Sequence, residues 1–252
     1  TSFDGGICVV TIDRPPVNSL NTFLMEALIA TFQNLPNNAD LRAIVITGGG
    51  RKAFVAGADI TEVKDLMEIE GKAFSRKGQA MTDAIADCPL PVICAINGAA
   101  LGGGGEIALA CDIRIMAENA LIGFPESSLG LFPGAGGTQR LPRLVTQGMA
   151  KYLLLTATPI TASEAEHCGL VDKVVPREKL MEASIALARK ISKNGPIAIK
   201  AIKRLLNKSY DVPLEEGLSM ERDEFGKVCA SNDKVEGITA FFEKRKPIYT
   251  GK

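Results

Sequence analysis

The chain has no tryptophan and only one histidine, His167, among its 252 residues. That scarcity removes His-rich zinc sites and the HExxH metalloproteases. A Ser-His-Asp triad would have to use His167, which lies in SEAEHCGLVD, and no G-x-S-x-G elbow exists to supply its serine. His167 is read as structural, so catalysis must come from carboxylates, backbone groups or lysines. No excess of either charge is present. Lys plus Arg number 29 and Asp plus Glu 29, a zero balance that argues against a domain built mainly to hold nucleic acid. Apolar runs such as PVICAINGAALGGGG are too short or too glycine-rich to cross a bilayer. The opening TSFDGGICVVTIDRPP lacks the basic flank and apolar run of a secretory leader. Cys8, Cys88, Cys94, Cys111, Cys168 and Cys229 follow no CxxC spacing, and most sit in apolar runs. They are expected to be reduced thiols of a cytoplasmic or mitochondrial-matrix compartment, with no metal site.

What is present is an ordinary globular composition, 46% hydrophobic and 23% charged. ICVVTID, RAIVITG, PVICAIN, DIRIMAE and LVDKVV read as short buried strands. NTFLMEALIATFQNL is a helix capped by Asn21, Asp59 to Asp87 predicts one or two helices, and EIALAC predicts another after a glycine-rich loop. Alternation of strand and helix points to crossover units and a largely parallel sheet. From about Gly136 onward helical patterns dominate, including PIAIKAIKRLLNKS and DKVEGITAFFEKRKP. The expectation is an α/β core over 1–190 followed by a helical region over 191–252, with no internal sequence repeat.

The glycine run LGGGGE, Leu101 to Glu106, poses the functional question. It has neither the Walker A spacing nor that of G-x-G-x-x-G, and GAGGTQR at Gly134–Arg140 has no strong strand directly before it. A strand-loop-helix junction also aims free N–H groups at the positive end of the helix dipole. Without a Cβ in the way, such a junction can hold a carbonyl that becomes an enolate. A second donor would come from FVAGADI, a similar small-residue loop that opens a helix at Asp59. Glu106, near the start of the helix, would ordinarily be a dipole-complementing surface residue. Glu126, in GFPESSLGLFPGAGG, would ordinarily be a solvated turn residue. Flanking one glycine-lined pocket, the two could instead position a water and move protons.

The block AINGAALGGGGEIALACDIRIMAENALIGFPESSLGLFPGAGGTQRLPR closely resembles the enoyl-CoA hydratase/isomerase (crotonase) family. IDRPPVNSLN, KAFVAGADI, EAEHCGLVDKVV and FFEKRKP extend the likeness over nearly the whole chain. The resemblance implies a crotonase-like spiral of ββα units with a helical C-terminal trimerisation region, assembling as a homotrimer or a dimer of trimers. It implies an oxyanion hole from the N–H groups of Ala58 and Gly103, catalytic glutamates at Glu106 and Glu126, and a water-positioning backbone donor at Gly134. The implied ligand is an acyl-CoA substrate, bound at Val17, Lys52, Ala56, Asp59 and Ile60, with Phe241 and Lys244 acting near the CoA of a neighbouring subunit. No cofactor is implied, coenzyme A being part of the substrate. One departure stands out: Thr61 occupies a position where family members often carry lysine, and Lys64 is the nearest substitute.

The reaction so implied is syn-hydration of trans-2-enoyl-CoA to 3-hydroxyacyl-CoA. The fold also hosts isomerases, hydrolases, decarboxylases and dehalogenases over one oxyanion hole, so the carboxylate count must discriminate. Retention of both glutamates favours a hydratase, whereas a double-bond isomerase can work with one. An RNA-binding role would rest on Lys64, Lys72, Arg76 and Lys77, but the acidic residues among them read as a solvated helix face. No nucleic acid and no membrane partner are expected.

Overall fold

All 252 residues are described in a computed structural model. The chain begins with β1 (Ser2–Asp4), β2 (Ile7–Ile12), α1 (Thr22–Asn34), β3 (Ala43–Gly48), β4 (Ala53–Ala56), α2 (Ile60–Val63) and α3 (Glu68–Ala86). It continues with β5 (Val92–Ile96), β6 (Ala99–Leu101), α4 (Gly103–Ala110), β7 (Ile113–Ala117), β8 (Leu121–Gly123), α5 (Gly137–Arg140) and α6 (Gln147–Thr156). β9 (Ile160–Thr161), α7 (Ala162–His167), β10 (Lys173–Val175) and α8 (Leu180–Ser192) precede three C-terminal helices, α9 (Pro196–Lys208), α10 (Leu214–Cys229) and α11 (Asn232–Phe242).

Two sheets divide the strands. The larger has the order β1-β2-β3-β5-β7-β10 and is parallel except at β1–β2. The smaller, β4-β6-β8-β9, is parallel except at β8–β9. Each of β3–β4, β5–β6 and β7–β8 sends its first strand to the large sheet and its second to the small one. A helical segment follows each pair, the last being the 3₁₀ turn Pro125–Leu129. The unit thus repeats in space although no repeat is visible in sequence.

Central strands of the large sheet are buried on both faces, which is why they read as continuous apolar runs: every residue of β3 and β5 is buried. On α1, Met25, Leu28 and Phe32 face the core at helical spacing, and Asn21 accepts a hydrogen bond from Leu24 N–H at 2.9 Å. Helix α8 covers the sheet with Leu180, Ser184 and Ala188. A nearly buried lysine ties α9 to this core: Lys203 Nζ donates to Leu90 O at 3.0 Å and to Asp112 Oδ2 at 2.7 Å. Beyond it, α10 and α11 carry exposed apolar side chains, among them Phe225, Ile238, Phe241 and Phe242.

The predicted boundary of one helix is corrected. Gly103, Gly104 and Gly105 do not form a loop before EIALAC; they are the first turn of α4 itself, with Gly102 as its N-cap. Packing explains this use of poor helix formers. A Cβ on Gly104 would overlap the Val55 carbonyl oxygen, and one on Gly105 would lie 2.7 Å from Phe124 Cε1. The glycines let α4 lie almost against the backbone of the small sheet.

Candidate active site

The segment Arg14–Leu20 shapes one wall. Asn18 is 2% exposed and adopts a left-handed φ of 58°. Its Nδ2 donates to Gly49 O at 3.0 Å, Ala53 O at 3.2 Å and Phe54 O at 3.0 Å, while its Oδ1 accepts from Arg14 N–H at 2.9 Å. Pinned there, the segment runs beside the end of β4. Ala56 N–H donates to Val17 O at 3.1 Å, Leu20 N–H to Gly57 O at 2.8 Å, and Asp59 N–H to Leu20 O at 2.7 Å. These bonds occupy the residues on either side of Ala58 and leave the Ala58 N–H without a protein acceptor.

The N–H of Gly103, in the first turn of α4, is likewise unengaged, as the start of a helix dictates. Leu20 links the two donors. Its backbone brackets Ala58, and a Cβ on Gly103 would sit 2.7 Å from Leu20 Cδ1. Gly102 has φ of +53°, and a Cβ there would fall 2.6 Å from Glu126 Oε1 and 3.6 Å from Gly57 Cα. The glycine run, the Ala58 loop and Glu126 therefore meet at one point.

Glu106 projects from α4 and is 3% exposed. Its Oε1 accepts from Ala135 N–H at 2.7 Å and from Gly137 N–H at 2.8 Å. Burial pushes its carboxyl up to about 7, and the charge of Glu126 adds to the push. The two backbone N–H groups and the Arg140 guanidinium oppose it. Glu126 follows Pro125 in its 3₁₀ turn. Burial raises it too, and its Oε2 is buried without a hydrogen-bond partner. Two such carboxyls resist ionising together, which suits one to take a proton while the other gives one.

The loop carrying Gly134 completes the wall, and its N–H has no protein acceptor. Sequence reasoning, on the strength of the resemblance, proposed Glu106, Glu126, Ala58, Gly103 and Gly134 as site residues; in the structure Ala135, next to Gly134, donates to Glu106, and Gly102, next to Gly103, lies against Glu126 and against Gly57, which precedes Ala58. That reasoning missed Ala135 and Gly137, whose N–H groups hold Glu106; PGAGG was the available signal, since a Cβ on Gly137 would lie 3.1 Å from Glu106 Oε1. It also missed the Asn18 pin.

Ala56, Asp59 and Ile60 adjoin Ala58 in sequence, and Val17 is tied to Ala56 by its carbonyl at 3.1 Å. Ile60 is 52% exposed, and the Asp59 carboxylate is already engaged, pairing with Arg14 at 2.7 Å and capping α2 through Thr61 N–H at 3.1 Å. Thr61 adds its hydroxyl to that cap at 2.7 Å, so here it serves the helix start. Lys64 stands 3.7 Å from Asp65. Lys52 is exposed just before β4. Phe241 and Lys244 lie at the far end of α11, and no hydrogen bond or ion pair within the chain joins them to the cleft. His167 is exposed in the last turn of α7. No group of three His, Cys, Asp or Glu residues is arranged to hold a metal, and no helix is long and apolar enough to cross a membrane.

This fold, two unequal sheets wound from ββα units around a glycine-lined helix start, is that of the crotonases. The chain belongs to the enoyl-CoA hydratase/isomerase family, whose model matches residues 2–252. It is 44% identical to the short-chain-enoyl-CoA hydratase of Clostridium acetobutylicum over 96% of this chain and 94% of that protein. It is 42% identical to the crotonyl-CoA hydratase of Syntrophomonas wolfei over 98% of this chain and 95% of that one. Among solved structures, the enoyl-CoA hydratase of Bacillus anthracis superposes with a TM-score of 0.96 at 41% identity, covering 100% of this chain and 98% of that one.

Proposed function

We propose that this protein is an enoyl-CoA hydratase, adding water reversibly across the double bond of a trans-2-enoyl-CoA thioester to give the 3-hydroxyacyl-CoA. The observation that carries this reading is the convergence of two carboxyls, the buried Glu106 and the half-buried Glu126 with its buried Oε2, on a helix start whose Gly103 N–H faces no protein acceptor. Relatives named short-chain-enoyl-CoA and crotonyl-CoA hydratase support it.

In the mechanism, the Ala58 and Gly103 N–H groups hold the thioester oxygen. Their hydrogen bonds strengthen as the C=C electrons move toward that oxygen, which makes C3 electrophilic. Glu106, ionised and held by Ala135 and Gly137, takes a proton from a water also held by Gly134 N–H. The water oxygen forms the C3–O bond while the C2=C3 π pair becomes the enolate. Glu126, protonated, then delivers its proton to C2 as the enolate collapses to the thioester. In this scheme both additions are to the same face of the enoyl group, the one that Glu106 and Glu126 address through the shared water. The proton now on Glu106 passes to Glu126 through the next water to enter the site after product leaves, which restores the pair.

Val17, Lys52, Ala56, Asp59 and Ile60 supply the CoA contacts of one chain, mostly through backbone groups. Phe241 and Lys244 are proposed to serve the CoA of a neighbouring copy, with residues 191–252 as the region that associates into trimers and 1–190 as the catalytic core. No redox group or metal enters the reaction as written. The reading is tested by hydration of crotonyl-CoA, followed as loss of the conjugated thioester absorbance. Glu106→Gln and Glu126→Gln should each lower kcat by roughly 10²-fold or more with CoA binding retained. A variant that keeps near wild-type kcat removes that residue from the mechanism.

A further inference from the structure

The loop that grips Glu106 is itself gripped from behind by one face of α3. Ser75 Oγ donates to Gly134 O at 2.7 Å, and Gln79 Nε2 donates to the same oxygen at 3.2 Å. One turn further on, Thr82 Oγ1 donates to Ala135 O at 2.8 Å. These residues recur at helical spacing with Gly78 between them, where a Cβ would lie 2.9 Å from the Ala135 Cβ. The face is built for close contact with this loop.

The Gly134 carbonyl and the Ala135 N–H are the two ends of a single planar peptide group. Its oxygen takes the Ser75 and Gln79 hydrogen bonds, and its N–H donates to Glu106 Oε1 at 2.7 Å. A donor on the oxygen draws electrons along the amide and makes the N–H at the other end a stronger donor, so bonds in such a chain reinforce one another. We propose that Ser75, assisted by Gln79, is a positioning residue for the hydration chemistry, acting on Glu106 through the Gly134–Ala135 peptide. Neither side chain needs to touch substrate. The relay orients the Glu106 carboxylate and favours its ionised form, which is the form that takes the proton from water. The inference rests on the assignment of Glu106 as the base.

The charged groups around Glu106 are few. Glu126 faces it from the Pro125–Leu129 turn, and Arg140 reaches toward it from α5 while pairing at 2.6 Å with Asp83 of α3. The adjacent strands β4 and β6 contribute no titratable side chain. Removing a donor from the Gly134 oxygen therefore leaves these charges in place and changes only the peptide relay.

The test is the pH dependence of kcat/KM for crotonyl-CoA in Ser75→Ala, Gln79→Ala, Ser75→Thr and Glu106→Gln. Loss of the Ser75 hydroxyl makes Glu106 harder to ionise, so the acid limb should move to higher pH by roughly half a unit. Gln79, exposed and with the longer bond, should give a smaller shift in the same direction, and it reports even if Ser75→Ala folds poorly. Ser75→Thr keeps the hydroxyl and should restore the wild-type limb. The proposal is overturned if the Ser75→Ala and Gln79→Ala limbs overlie the wild type, or if only KM moves. Glu106→Gln separates the two layers: if it leaves the acid limb intact at near wild-type rate, the assignment of Glu106 fails; if it abolishes the limb while the Ser75 and Gln79 variants leave theirs unmoved, the relay alone fails.

Discussion

Replacing Glu106 with glutamine should make the protein more stable above neutral pH while removing its catalysis. Burial has moved this carboxyl from its ordinary 4.5 to about 7. A group whose native-state affinity for protons exceeds its unfolded-state affinity stabilises the fold when protonated. That contribution is complete below about pH 4.5 and is lost as pH rises through about 7. At about 1.4 kcal/mol per pH unit, the ionised carboxylate weakens the fold by about 3 kcal/mol at pH 8.5, and by under about 1 kcal/mol at pH 5. Glutamine is isosteric and stays neutral. Its Oε1 can keep both hydrogen bonds, from Ala135 N–H at 2.7 Å and Gly137 N–H at 2.8 Å. The assay is urea unfolding of wild type and variant at both pH values and one fixed protein concentration, since assembly also shifts the midpoint. The expected result is a variant more stable by about 2–3 kcal/mol at pH 8.5, with the gap mostly closed at pH 5. A variant no more stable than wild type at pH 8.5 would refute the claim that this carboxylate is held ionised against its surroundings.

Two other substitutions probe the frame. Gly104→Ala places a methyl against the Val55 carbonyl; thermal unfolding should report a loss of about 1–3 kcal/mol, and a neutral effect would mean that α4 does not need its close seat on β4. Asn18→Ala removes a buried amide that donates to three carbonyls and releases the segment bracketing Ala58. It should lower kcat for crotonyl-CoA by about 10-fold or more with a smaller change in KM, the pattern of an interaction strongest in the transition state.

How much of this could be seen in the residues differs from part to part. Strands β3 and β5 were legible because strands buried on both faces are almost wholly apolar, and β2 and β7 because they are apolar apart from Thr11 and Arg114. The small sheet was not: AFVA, AAL, LIG and IT are too short, and too rich in alanine and glycine, to carry a strand signal. They form because the neighbouring elements hold them. The glycines of α4 read as a loop by propensity, and only the nearness of Val55 and Phe124 shows why a helix there requires them. Glu106 and Glu126 taken singly look like surface residues. Their pairing came from the resemblance, and the burial that distinguishes them belongs to the folded chain. Ser75 and Gln79 carry no sequence signal, because what they do depends on a peptide 55–59 residues away.

The most direct test of the proposed reaction is incubation of crotonyl-CoA with the enzyme in ¹⁸O-water, beside Glu126→Gln at the same concentration. Wild type should yield 3-hydroxybutyryl-CoA carrying solvent oxygen at C3, and the variant should yield almost none. Double-bond migration without incorporation of solvent oxygen, or full incorporation by Glu126→Gln, would contradict hydration by this carboxylate pair.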